Sequence, residues 1–244
     1  MTDWFSTLAD ARALAPEAAS ALQEQGFVVI QGPLTPARME ELARTYGAAE
    51  ASAAGDEIKI GSTTTRVSDF VNRGPEYDDV YTFPPLLDAC CRVIGQPFKL
   101  SSFHSRTLRP AMPSQRLHVD VMRESADWPL LAFILMVDEF GPDNGATRFI
   151  PGSHLRPTAP ESSISDLQAD LPGQVLACGR AGSLVVFHGS AWHGHIANTS
   201  SKPRRSLQGA FIPRSGSSAT NFAARMQPST RARLSPRASN VLDL

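Results

Sequence analysis

Cysteine is scarce in this chain. Three stand among 244 residues, Cys90, Cys91 and Cys178, and two of these are adjacent. An odd count with neighbouring thiols argues against a disulfide framework. Long apolar runs are also missing; "PLLAFILMV" has the length of a strand, not of a membrane span. The opening "MTDWFSTLADARALAPEAAS" has no basic region followed by an apolar one, so no signal peptide is read there. These absences set the expectation of a reducing, cytoplasmic setting, and the "NTS" sequon at Asn198 is discounted with it. Neither sign of charge dominates, with 23 Lys and Arg against 24 Asp and Glu. Nucleic acid and anionic membranes are therefore not expected as partners. There is no internal repeat, and nothing speaks to oligomeric state.

What is present is an ordinary globular composition, 42% apolar and 19% charged. The length suits one large domain over 1–244. Residues 5–24 have helical spacing, and "GFVVI" reads as a short buried strand. "LTPARMEELARTYG" predicts a helix with Thr35 as N-cap, Pro36 at the first position and Gly47 at its end. Residues 49–83 read as a long irregular excursion of the kind that often forms a lid. "PPLLDACCRVIG" predicts another helix closed by glycine.

From Phe98 the signals turn to strand. "FKLSSFHSRTL", "RLHVDV", "PLLAFILMVD", "TRFIPGS", "QVLACG", "GSLVVFHG", "HGHIA" and "RSLQGAFIPR" are short runs between Gly, Pro, Asn or Asp. Such punctuation predicts a sandwich or barrel, placing a β-core at about 98–213 behind N-terminal helices. Residues 154–173, rich in Pro and Ser, are a second lid candidate. The stretch 214–244, with five arginines and one aspartate, reads as a solvated flexible tail.

"LHVDV" raises the chemical question. His118 and Asp120 sit two apart among apolar residues, so on a strand they share one face. On a wet face they are a polar pair beside a turn. Inside a barrel they are two donors of a two-histidine, one-carboxylate triad, which suits non-haem iron and oxygen chemistry. His188, His193 and His195 in "FHGSAWHGHIANTSSKPRRS" offer the second histidine. His195 lies two residues from His193 and would share its face, as ligand or as pocket lining. His188 reads as a strand-end residue.

From about Gly26 to Pro213 the chain resembles the phytanoyl-CoA dioxygenase-like family of Fe(II)/2-oxoglutarate-dependent oxygenases. The stretches that carry the likeness are "GFVVIQG", "QRLHVD", "NGATRFIPGSH" and "AGSLVVFHGSAWHGHIANTSSKPRRSL". The resemblance implies a double-stranded β-helix, a jelly-roll barrel of the cupin kind with flanking helices. It implies His118, Asp120 and His193 as iron ligands, and Arg204 as the anchor for the far carboxylate of 2-oxoglutarate. An arginine is apt there, because its planar fork pairs with a carboxylate through two parallel bonds. Strand alternation sends only one of Arg204 and Arg205 inward, and the family spacing favours Arg204. Gln115 and Thr147 fall where family members contact the co-substrate. Fe(II), 2-oxoglutarate and O2 are the implied cofactors.

The implied reaction is hydroxylation, or another oxidation of an unactivated C–H bond, with succinate and CO2 released. Halogenating relatives carry a small residue in place of the carboxylate; Asp120 therefore points to hydroxylation. Desaturation and ring closure stay open. The expected substrate is a small specialised metabolite; the family also takes fatty acyl-CoA and amino-acid-type substrates, which the sequence does not separate. Candidates to line its site are Phe70, Arg73, His104, Arg106, Met122, Arg123, Trp128 and His195, each alternatively a core aromatic or exposed strand residue. His104 and Arg106 share a face, so both enter the barrel or neither does. Arg148 is either a pocket cation or a surface residue, and Asn144, Gly145, Pro151 and Gly152 shape turns. Two rival readings remain: a cupin-like metal enzyme that does not use 2-oxoglutarate, and a non-catalytic binding barrel.

Overall fold

The computed structural model describes residues 13–123 and 129–244. In chain order the elements are α1 (Pro16–Gln25), β1 (Phe27–Gln31), α2 (Pro36–Ser52), β2 (Ile58–Ile60), β3 (Thr64–Val67), α3 (Asp78–Tyr81), α4 (Pro84–Ile94) and β4 (Phe98–Leu108). There follow β5 (Leu131–Met136), β6 (Thr147–Phe149), β7 (Val175–Ala177), β8 (Ser183–His188), β9 (His193–His195), β10 (Arg204–Pro213), α5 (Phe222–Arg225), α6 (Pro228–Arg233) and α7 (Pro236–Val241). Among the described residues no helix is long and apolar enough to cross a membrane.

Two antiparallel sheets face each other. The larger runs β1-β8-β5-β10-β4-β3-β2 and the smaller β7-β6-β9. This is the double-stranded β-helix with flanking helices. Alternation along each strand builds two apolar layers. Leu131, Phe133 and Leu135 of β5, with Leu184, Val186, Leu207 and Phe211, pack beneath the helices. Ala132, Ile134 and Met136, with Val185 and Phe187, turn the other way and meet Phe149 and Ala177 of the smaller sheet. β5 is buried at every position because both its faces are covered, hence its unbroken apolar sequence.

Of the expected helical run 5–24, α1 begins only at Pro16, residues 13–15 are not helical, and residues 5–12 lie outside the described residues. The other helices follow their local signals, with one exception. Thr35 caps α2, its hydroxyl accepting from Arg38 N, and Pro36 opens the helix. α4 ends on Gly95 in the left-handed conformation, as expected. Gly47 does not end α2, which continues to Ser52 and buries Tyr46 and Ala49. Tertiary packing on that face outweighs the modest cost of a helical glycine.

Three further expectations are corrected. Residues 49–83 are not one irregular excursion: β2 and β3 extend the larger sheet through pairing of β3 with β4. "LHVDV" is not a regular strand; it is an extended stretch held beside β9 by a single bridge between His118 and His193. The run 214–244 is not a solvated tail. It forms α5–α7, and Phe222, Ala238, Val241 and Leu242 are buried in the helical layer. Its charges are used as well: Asp243 pairs with Lys99 and Arg214, and Arg233 pairs with Asp78.

Candidate functional site

A cavity of about 250 Å³ opens between the two sheets. Its lining includes Gln115, His118, Asp120, Thr147, His193, His195 and Arg204, together with His104 and Arg106. His104 and Arg106 thus both enter the barrel from β4.

His118, Asp120 and His193 form a group in which one donor atom of each lies within 4.8 Å of the others. Backbone pairing brings the chain segments together. His118 and His193 exchange both N–H···O bonds at 3.0 Å, and Asp120 N donates to Gly189 O at 2.8 Å. Gly194 between the two β9 histidines permits this approach, because a Cβ there would come within 3.1 Å of the carbonyl oxygens of Gln115 and Arg116. Each imidazole is aimed by its own backbone. His118 Nδ1 donates to Arg116 O at 3.1 Å, and His193 Nδ1 to Ala191 O at 2.9 Å. A carbonyl only accepts, so Nδ1 carries the proton and Nε2 presents a lone pair.

Both Nε2 atoms face the carboxylate without bonding to it. Asp120 Oδ1 is 4.0 Å from His118 Nε2 and 3.9 Å from His193 Nε2. That is too long for a hydrogen bond and suits donors that share one ion, since metal–ligand bonds to N and O run near 2 Å. Burial, then the neighbouring His193, pushes the His118 imidazole down to about 4, so it is neutral and ligand-ready at neutral pH. Phe149 and Phe187 flank the His193 ring.

Arg204 supplies a second feature. It is 2% exposed, its guanidinium lies 4.0 Å from the centroid of the Phe140 ring, and its Nε and Nη1 meet no hydrogen-bond partner. A buried cation left so is costly unless an anion arrives. Burial, and then Arg106 nearby, lowers its pKa to about 9. Arg205 faces the opposite way, forking onto Asp138 at 2.7–3.2 Å. The co-substrate fits here by the same criterion: a buried guanidinium without a partner, in the cavity that holds the three-donor group.

The other predicted residues separate. His195 lines the cavity, with Nδ1 donating to Ile196 O at 2.9 Å. His188 ends β8 beside His154, ring centroids 4.7 Å apart. Phe70 is fully buried between Tyr46 and Tyr77, away from the cavity. Arg73 pairs with Glu57 at 3.3 Å, and Arg123 donates to Leu155 O at 2.6 Å; neither lines the site. Met122 is exposed and also outside it, and Trp128 lies outside the described residues. Arg148 is neither pocket cation nor surface residue. Fully buried, it donates to the carbonyls of Leu167, Ala169 and Gln115, lashing the 154–173 segment to the smaller sheet.

Sequence reasoning missed Arg66 and Gln208, both of which line the cavity. Signals for them existed. "STTTRV" is rich in β-branched residues, and Gln208 stands four positions from Arg204 on the same strand face.

The barrel and its three-donor group define a non-haem oxygenase fold. The description "Phytanoyl-CoA dioxygenase (PhyH)" matches residues 22–206, and the chain belongs to that family. It is an iron- and 2-oxoglutarate-dependent dioxygenase. The chain is 29% identical over 214 residues to the dioxygenase trt7 of Aspergillus terreus, covering 81% of this chain and 73% of that one. It is 26% identical over 195 residues to the iron/alpha-ketoglutarate-dependent dioxygenase okaE of Penicillium ochrochloron, covering 72% and 63%. Its fold is shared with the non-heme alpha ketoglutarate dependent carbocyclase SnoK from nogalamycin biosynthesis, at TM-score 0.69, 21% identity and 93% coverage of both chains. It is also shared with iron-bound HygX from Streptomyces hygroscopicus, at TM-score 0.68, 16% identity and coverage of 84% and 89%.

Proposed function

We propose that this enzyme oxidises an unactivated C–H bond of a small specialised metabolite, releasing succinate and CO2, with hydroxylation as the outcome. His118, Asp120 and His193 hold the iron, Arg204 anchors the far carboxylate of 2-oxoglutarate, and Gln115 and Thr147 border the co-substrate. The bound iron and co-substrate together supply the oxidising chemistry. The protein's part is to position and to exclude water. Backbone carbonyls fix the tautomer of both histidines. Phe149 and Phe187 back His193 with apolar surface. Asp120 fills the position that a halide would need.

The observation that carries this reading is the buried guanidinium of Arg204 without a partner, in the same cavity as the three donors. A cupin-like enzyme that does not use 2-oxoglutarate has no need of such an anchor. The names of relatives support the substrate class: SnoK is assigned to nogalamycin biosynthesis. A single domain and a cytoplasmic setting complete the proposal, supported by the free thiols of Cys90, Cys91 and Cys178.

The test is anaerobic. Fe(II) and then 2-oxoglutarate are added to metal-free protein, and the weak visible charge-transfer band of a chelated 2-oxo acid is followed. A band in the wild type that weakens in Arg204→Ala supports the reading. Bound iron without a band favours the cupin-like rival, and no bound iron favours the binding barrel.

A further inference from the structure

The charges lining the cavity do not balance. Among the described residues, three guanidiniums, Arg66, Arg106 and Arg204, share it with a single carboxylate, Asp120. Two described acids close to this region are engaged elsewhere: Asp138 holds Arg205, and Glu50 accepts from Thr107 at 2.5 Å. On the cofactor reading above, a divalent iron and a dianionic co-substrate cancel each other. The cavity would keep its positive surplus, and Arg204 would be satisfied by the co-substrate. Arg66 and Arg106 would not.

These two arginines are cross-strand partners. Arg66 on β3 stands directly opposite Arg106 on β4 in the antiparallel register. Residues so paired project on the same face, and like charges directly opposite each other destabilise a ladder. Among the described residues Arg66 has no ion pair. The Arg106 side chain bonds, among the described residues, only to Gln208 Oε1, at 3.5 Å through Nη1, and its Nε is buried without a partner. The edge formed by Nε and Nη2 therefore carries no hydrogen bond among the described residues. That edge presents two parallel N–H bonds, the arrangement that takes both oxygens of a carboxylate. Burial, and then Arg66, lowers the Arg106 pKa to about 10, and Asp120 only partly offsets them.

We propose that Arg66 and Arg106 form the binding pair for a carboxylate on the primary substrate, placing that group at the β3–β4 side of the cavity with Gln208 orienting Arg106. The inference deepens the proposed function and rests on it. A planar carboxylate suits the coplanar N–H bonds and the limited space left beside a co-substrate.

The experiment uses anaerobic protein loaded with Fe(II) and saturating 2-oxoglutarate, with benzoate, benzamide and inorganic phosphate as calorimetric probes. Benzoate should bind at least about tenfold tighter than uncharged benzamide. Arg66→Gln and Arg106→Gln should each weaken benzoate by about tenfold, a typical loss for one charge-assisted fork. Arg66→Lys, which keeps charge and lacks the fork, should fall between. Half-saturation of the 2-oxoglutarate band should move less than about threefold in Arg66→Gln, since its partner is elsewhere. Arg66 is exposed, so Arg66→Gln removes no buried packing. Equal binding of benzoate and benzamide, an unchanged benzoate affinity in Arg66→Gln, or tighter binding of phosphate than of benzoate would overturn the pair. A wild-type band with no preference for benzoate overturns the pair alone. Absence of the band overturns the cofactor reading and this inference together.

Discussion

Arg204 lies over the face of Phe140, guanidinium carbon 4.0 Å from the ring centroid, with two of its nitrogens buried and unbonded. A cation–π contact recovers part of the lost hydration but cannot satisfy N–H donors. The residue is therefore kept at the expense of stability. Arg204→Met should leave the unfolding free energy of metal-free protein within about 1 kcal/mol of wild type, or raise it. The same variant should lose 2-oxoglutarate binding by about a hundredfold, read from the charge-transfer titration. A strongly destabilised apo variant would show that the guanidinium is structural.

His118→Ala and Asp120→Ala should each bind iron at least about tenfold more weakly and lose substrate-coupled turnover. Metal content after gel filtration and succinate release together check this. Near-wild-type turnover in either variant would sink the triad.

Buried histidines make stability depend on acid. Burial depresses His104 and His188 to about 3, and His118 and His195 to about 4. The unfolded imidazoles titrate near 6.5, so the unfolded chain takes up protons first as pH falls. Each histidine's contribution is complete above about pH 6.5 and fades toward its folded value. Urea unfolding of the metal-free protein should weaken steadily from pH 7 to 4. His104→Leu should flatten that slope by up to about 1.4 kcal/mol per pH unit between pH 6 and 4. A slope identical to wild type would mean that His104 is hydrated.

Residues 214–244 should behave as core, not as tail. Phe222→Ala removes a side chain that is 4% exposed and should cost about 3 kcal/mol. Chemical denaturation measures it directly, and a loss below about 0.5 kcal/mol would restore the flexible reading.

Arg148→Met should release the 154–173 segment by removing the guanidinium donor from the carbonyls of Ala169 and Gln115 and leaving Leu167 O with Leu117 N alone. The loss should be about 3 kcal/mol, and Arg148→Lys should not restore it, because three separate carbonyls need the fork. Limited proteolysis within 154–173 is the companion measurement.

How much of this was legible in the sequence depends on whether a residue's partner is near or far. Thr35 and Pro36 announced α2 because capping is local. That His104 and Arg106 share one face followed from alternation, but that this face is the inner one did not; it depends on how β4 sits in the sheet. His118 and Asp120 were legible as a pair, but the segment's irregular backbone was not, since its hydrogen bonds go to His193 and Gly189. Phe70 was misplaced because an aromatic beside a turn reads the same in a pocket or in a core; its packing against Tyr46, 24 residues earlier, and Tyr77, beyond the intervening turns, decides it. The tail was misread for a related reason. Five arginines look solvated until Asp243 meets Arg214, and Asp78 and the carbonyl of Val71 meet Arg233.

The first two residues of β10 bear on how the active centre is kept in place. Arg204 and Arg205 are chemically identical and point to opposite layers. Sliding the strand by one position would exchange them and still leave a guanidinium on each side, so charge alone gives the strand no preferred frame. Its apolar members do. The slide would push Leu207 and Phe211 into the cavity and Gln208 under the helices. The frame that delivers the co-substrate's anchor is thus chosen by side chains that never meet the co-substrate, and a repacking of the helical layer could misdirect catalysis without touching one residue of the centre.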